Sequence, residues 1–136
     1  MSYPLTDIDG VDEQTAAILK MVGIRSTGRL LEAASTVRGR KMLAIKTGFT
    51  EQQLLAWANV ADRMRVKGIR KEHAKLLQAA GVDTVKELKY RNPGNLAVAM
   101  REANKKHKLV IMLPSEKVVG HWIENAKKLQ LKITYK

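Results

Sequence analysis

Five basic side chains crowd into nine residues of this chain. Arg63, Arg65, Lys67, Arg70 and Lys71 fall within 63–71, with no acid among them. Cations at that density attract phosphate, and Gly68 in their midst lets backbone amides approach an anion closely. Two further clusters, Arg38 with Arg40 and Lys41, and Lys105 with Lys106 and Lys108, would extend a track if they shared a face. The same nine residues also fit a solvated joint between two helical segments. The sequence leaves both readings open.

Other chemistry finds little support. His73, His107 and His121 are scattered, without the paired spacing of metal ligands. The chain has no Cys, which removes thiolate metal sites and disulfides together. No Gly-rich loop leads into Lys-Ser or Lys-Thr. Neither a metal nor a cofactor is therefore expected. With no acid–base pair to name, neither is an enzyme or a small-molecule substrate. Trp57 and Trp122 have the chemistry to stack on bases. Their helical spacing with Leu, Val and Ala favours the core instead. His73 is expected on a helix surface, and His121 beside a core Trp.

The charge balance says more. The net charge is +12, and it is unevenly distributed. Residues 1–33 sum to −2, residues 34–71 to +7 and residues 72–136 to +7. Such asymmetry points to a polyanionic partner. Apolar residues make up 45% of the chain and aromatics only 4%, a balance that suits packed helices. Met1 to Gly10 carries Asp7 and Asp9 without an apolar stretch, unlike a secretory signal. The longest apolar run, Leu109 to Leu113, is far too short to cross a bilayer. No membrane partner is expected, and the absence of Cys fits a reducing cytoplasm.

The elements that must position these residues come in two sets. A shift of 58 residues aligns Ile8-Asp9-Gly10-Val11 with Val66-Lys67-Gly68-Ile69. It also aligns Ala16 with Ala74, Leu19 with Leu77, Gly23-Ile24 with Gly81-Val82, Ser26 with Thr84 and Leu30 with Leu88. After a shift of 65, Thr50-Glu51 meets Ser115-Glu116, Trp57 meets Trp122 and Ala61 meets Ala126. The second copy thus carries seven extra residues, placed around Asn104 to Leu113. The matched types set turns, caps and core faces, so they report structure.

The expected fold is all-α: a tandem repeat of about eight to ten short helices, divided as 1–65 and 66–136. In the first copy one helix follows Asp12 and stops at Gly23, and Ser26 caps the next. A third runs through Met42 to Gly48, and Thr50 with Gln53 opens a fourth as a capping box. In the second, helices run from Arg70 to Gly81, from Thr84, from Asn92-Pro93 and from Ser115, with a short extended tail from Leu131.

The segments around Gly10 and Gly68 resemble the helix-hairpin-helix turn. In that family an apolar residue precedes a Gly-apolar-Gly turn whose amides hold a DNA phosphate, often beside a bound monovalent cation. The whole chain is more closely similar to the domain-of-unknown-function 4332 family. That likeness rests on Trp57-Ala58-Asn59-Val60-Ala61-Asp62, Val66-Lys67-Gly68-Ile69, Ala79 to Leu88, Arg91-Asn92-Pro93, Leu113-Pro114-Ser115 and Trp122 to Ala126. It implies tandem helix-hairpin-helix-like units, and no assigned activity. Gly81-Val82-Asp83-Thr84 looks like the catalytic segment of helix-hairpin-helix DNA glycosylases. However, Glu72 stands where their catalytic Lys belongs, and Asp83 follows the turn too soon.

Both copies lack the second glycine of the turn, with Asp12 and Arg70 in its place. Asp12 and Glu13 would repel a phosphate, while Lys67, Arg70 and Lys71 would attract one. The expected function is therefore non-catalytic binding of duplex nucleic acid, without strong sequence choice. Lys67, Gly68, Arg70, Lys71, Arg63, Arg65, Arg38, Arg40 and Lys41 form the candidate site. The alternative is a scaffold for an acidic protein. If about five phosphates were neutralised, log affinity would fall against log salt with a slope near −4 to −5.

Overall fold

A residue with a short side-chain oxygen stands before nearly every helix of this chain. In the computed structural model, which describes Ser2–Lys136, Asp12 precedes α1 (Glu13–Met21) and Ser26 precedes α2 (Thr27–Ala33). Thr36 precedes α3 (Val37–Thr47), and Thr50 precedes α4 (Glu51–Arg63). After α5 (Lys71–Ala79), Thr84 precedes α6 (Val85–Lys89), Asn92 precedes α7 (Pro93–His107) and Ser115 precedes α8 (Glu116–Lys127). Each of these seven oxygens accepts a hydrogen bond from the amide three residues on. A Ser, Thr or Asn cap contributes about 1 kcal/mol by satisfying an otherwise orphaned donor. Helix α5 is the exception, because Arg70 before it has no acceptor to offer.

The protein is all-helical. Eight α-helices and one 3-10 turn (Leu5–Asp7) account for the regular structure among the described residues, with no strand. Thr50 and Gln53 form the capping box that their spacing predicts, at 3.0 Å each way. Helices α1 and α5 stop alike. Ile24 N donates to Leu19 O and Gly23 N to Lys20 O, while Val82 N donates to Leu77 O and Gly81 N to Gln78 O. This pair of hydrogen bonds at the helix end satisfies carbonyls that would otherwise lack a donor.

The chain forms two compact units. In the first, α4 packs on α2 and α3 around Leu30, Leu31, Leu54, Ala58 and Met64, all buried. In the second, α8 packs on α6 and α7, and α5 on α7, around Leu76, Leu88, Leu96, Val119 and Ile123. Both tryptophans are buried, as their helical spacing requires.

The units divide between 65 and 66, but the end of the chain does not stay with the second. Residues Lys132–Lys136 rejoin the first unit. Thr134 N donates to Ser35 O at 2.8 Å, and the Tyr135 hydroxyl bonds Asn59 Oδ1 at 3.1 Å. The Arg40 guanidinium clamps the tail, donating to Ala34 O at 2.8 Å and to Thr134 O at 2.6 Å.

The second unit gains residues in two places, offset in part by α6, which has five residues where α2 has seven. Helix α7 has 15 residues where α3 has 11, and a loop over 108–115 replaces the short link from Gly48 to Thr50. Asn104 holds that loop at its base. Its Oδ1 accepts from Leu109 N at 2.8 Å and Val110 N at 3.0 Å, while its Nδ2 donates to Val110 O at 3.0 Å.

Candidate nucleic-acid interface

Each unit opens its first long helix with the same turn. Val11 N donates to Ile8 O at 3.0 Å in the first unit, and Ile69 N to Val66 O at 3.1 Å in the second. Four flanking apolar residues, Ile8, Val11, Val66 and Ile69, are buried and anchor the turns. The third turn position has φ of +91° at Gly10 and +96° at Gly68, the left-handed region that a turn of this kind reserves for glycine. A second constraint acts there. A Cβ on Gly10 would lie 3.3 Å from Trp57 Nε1, and one on Gly68 only 3.0 Å from Trp122 Nε1. The recurring Gly and the recurring Trp are thus two halves of one contact. In the second unit, Asn125 Nδ2 also donates to Lys67 O at 3.3 Å.

The missing second glycine leaves this geometry intact. Asp12 has φ of −87° and Arg70 of −107°, both open to any side chain. What differs is the chemistry presented at the helix start. In the first unit, Asp12 Oδ1 accepts from Thr15 N at 2.8 Å. The Thr15 amide holds that carboxyl below its ordinary range. An internal anion therefore already occupies the place an external one would take.

In the second unit no side chain caps α5. Lys67, Arg70 and Lys71 are exposed around its first turn, with Gly68 between them. The long bond from Arg70 N to His73 Nδ1, at 3.5 Å, restrains the turn from inside. His73 is not the surface residue that the sequence suggests. It is half-buried, its ring 5.0 Å from that of Trp122, and burial lowers its pKa below the ordinary imidazole value.

Three of the candidate cations turn inward, which corrects the sequence reading. Arg63 is 1% exposed and Arg40 3% exposed, so neither can reach a polyanion. Arg40 instead clamps the tail. Arg65 is committed to Asp62, with contacts of 2.6 and 2.7 Å. Burial raises the Asp62 carboxyl above its ordinary range even with Arg65 beside it. One signal could have flagged Arg40: it lies three residues from both Val37 and Leu43, on the inner stripe of α3.

Lys67, Gly68, Arg70 and Lys71 do come together in one turn of the second unit. Arg38 and Lys41 are exposed on α3 in the first unit. Lys105, Lys106 and Lys108 are exposed at the end of α7, where Lys105 pairs with Glu102 at 3.3 Å. Among the described residues, no group of three His, Cys, Asp or Glu could hold a metal ion. No helix among them is long and apolar enough to cross a membrane.

A family model described as Domain of unknown function (DUF4332) matches residues 9–129. That range takes in all eight helices, the whole of the second turn and all but Ile8 of the first. No curated protein and no solved structure matched the chain.

Proposed function

The chain belongs to the DUF4332 family, and we propose that it is a non-catalytic, cytoplasmic module that binds duplex nucleic acid through phosphate contacts at the helix-hairpin-helix-like turn of its second unit. One observation carries this reading. The start of α5 lacks a side-chain cap and is surrounded by exposed Lys67, Arg70 and Lys71, whereas Asp12 fills the matching place in the first unit. Helix-start amides and the positive end of the helix dipole favour an anion, and three cations reinforce them. The second unit also holds fourteen basic against six acidic residues. Phosphate contact of this kind positions a duplex without reading its bases.

With Arg63 buried and Arg65 paired with Asp62, three of the five cations are exposed. Log affinity should therefore fall with log salt at a slope near −3, shallower than the sequence alone suggests. Titration of a labelled duplex at several salt concentrations tests this. Absence of binding near physiological salt would refute the reading. The variant Arg70→Glu with Lys71→Glu should bind weakly while keeping its helical circular dichroism.

A protein-interaction scaffold is the second reading. It draws support from α3, where exposed Met42 and Ile45 share a stripe with Arg38 and Lys41. Such a stripe suits an acidic amphipathic partner. A pull-down that survives nuclease and high salt, and is lost with Met42→Ser and Ile45→Ser, would favour it.

A further inference from the structure

The loop between α7 and α8 presents apolar side chains where a soluble surface rarely tolerates them. Ile111 is 106% exposed and Met112 84%, and the neighbouring Leu113 and Val118 are exposed as well. This cluster sits on chain that the first unit lacks. There the corresponding link holds Phe49 edge-on to Trp57, with ring centroids 5.0 Å apart. Nor is the loop slack. Asn104 fastens its base with three hydrogen bonds, so Ile111 and Met112 project from a fixed platform. Lys105, Lys106 and Lys108 precede the tip and Lys117 follows it, all exposed. The nearby acids are Glu102, paired with Lys105, and Glu116.

We infer that this loop is a docking finger for an anionic lipid bilayer surface. The match is one of charge and shape. An apolar tip enters the acyl boundary while lysines at its base reach anionic headgroups. Lysine suits the collar because its long apolar stem follows the tip inward while its ammonium stays at the surface. A bilayer accepts a run of apolar residues of any outline, and Leu109 to Leu113 is such a run. Because the base of the loop is held before contact, only the tip residues remain to be ordered on insertion.

The experiment uses the full chain with vesicles of phosphatidylcholine, alone or mixed with phosphatidylglycerol. Because the chain has no Cys, Met112→Cys can carry a single environment-sensitive dye. The mixed vesicles should sediment with the protein and shift the dye emission to the blue, while phosphatidylcholine alone does neither. Ile111→Ser with Met112→Ser should reduce partitioning at least about tenfold. Each Lys→Gln change at Lys105, Lys106 or Lys108 should reduce it by about fivefold. Circular dichroism of each variant should match the parent. Failure to sediment with mixed vesicles would overturn the inference. So would full binding by the double Ser variant, which would mean attraction without insertion. Loss of duplex binding in that variant, with vesicles ignored, would make the finger part of a nucleic-acid contact and also overturn it. Because these lipid measurements do not involve the turn at Gly68, failure there and failure of duplex binding remain separate results.

Discussion

The turns at Gly10 and Gly68 share a backbone and differ in what they leave open. Both close the same hydrogen bond, both place glycine at positive φ and both rest that glycine against an indole nitrogen. At the helix start that follows, one turn supplies its own carboxylate and the other supplies cations with no cap. Architecture and the charge at the helix start are therefore set by different residues. Gly, Trp and the buried apolar flanks determine the turn, and the position after it decides whether the helix start carries its own carboxylate or stands uncapped.

The sharpest way to break this comparison is to remove the shared support. Trp57→Ala and Trp122→Ala should each destabilise the unit that contains it by about 3–5 kcal/mol, measured by denaturant unfolding. If either change were tolerated, the turns would not share a support. Gly68→Ala is next. A left-handed φ and a Cβ 3.0 Å from Trp122 Nε1 should together cost about 2 kcal/mol. Gly10→Ala, with 3.3 Å to spare, should cost less. The reverse order would show that the indole contact is not what separates them.

Exchanging the caps sharpens the contrast further. Arg70→Asp gives α5 the cap that α1 has, and should raise the melting temperature by a few degrees. The same change should bring the salt slope of duplex binding to about −2 or shallower. A variant that gained stability yet bound the duplex unchanged would disconnect the two properties. Asp12→Arg should lower the melting temperature by a similar margin.

The smallest effect is one of pH. Burial lowers the His73 pKa in the folded protein, so the unfolded chain takes up the proton first as pH falls. The stability associated with neutral His73 is complete above the ordinary value of 6.5 and drains away below it. Thermal melts at stepped pH should show that loss, and His73→Gln should flatten it. Because the His73 ring lies against Trp122, Trp fluorescence should titrate with a midpoint below 6.5.

The helix ends were legible because they are local. Ser26, Thr50, Thr84 and Ser115 act on amides three residues away, within any reading window. The start of α3 is not legible, since Thr36 precedes a helix whose exposed face mixes Met42 and Ile45 with cations. The basic cluster was legible as composition but not as a surface. Arg63 and Arg65 stand within three residues of Asp62, and only packing decides which charges turn inward. The inward turn of His73 depends on Trp122, 49 residues away in the chain, and no local pattern encodes it. The return of the tail depends on Arg40 and Ser35, at a separation of about a hundred residues.

That returning tail also bears on how the protein is made. Ser35 leaves the ribosome early and Thr134 at the very end of this stretch, and they must still meet. The second unit, from Val66 to Leu131, is synthesised wholly in the interval. It can collapse on its own contacts while the first waits for its closing segment. Vectorial synthesis thus inverts the written order: the first unit gains its closing hydrogen bonds only after the whole second unit has been synthesised.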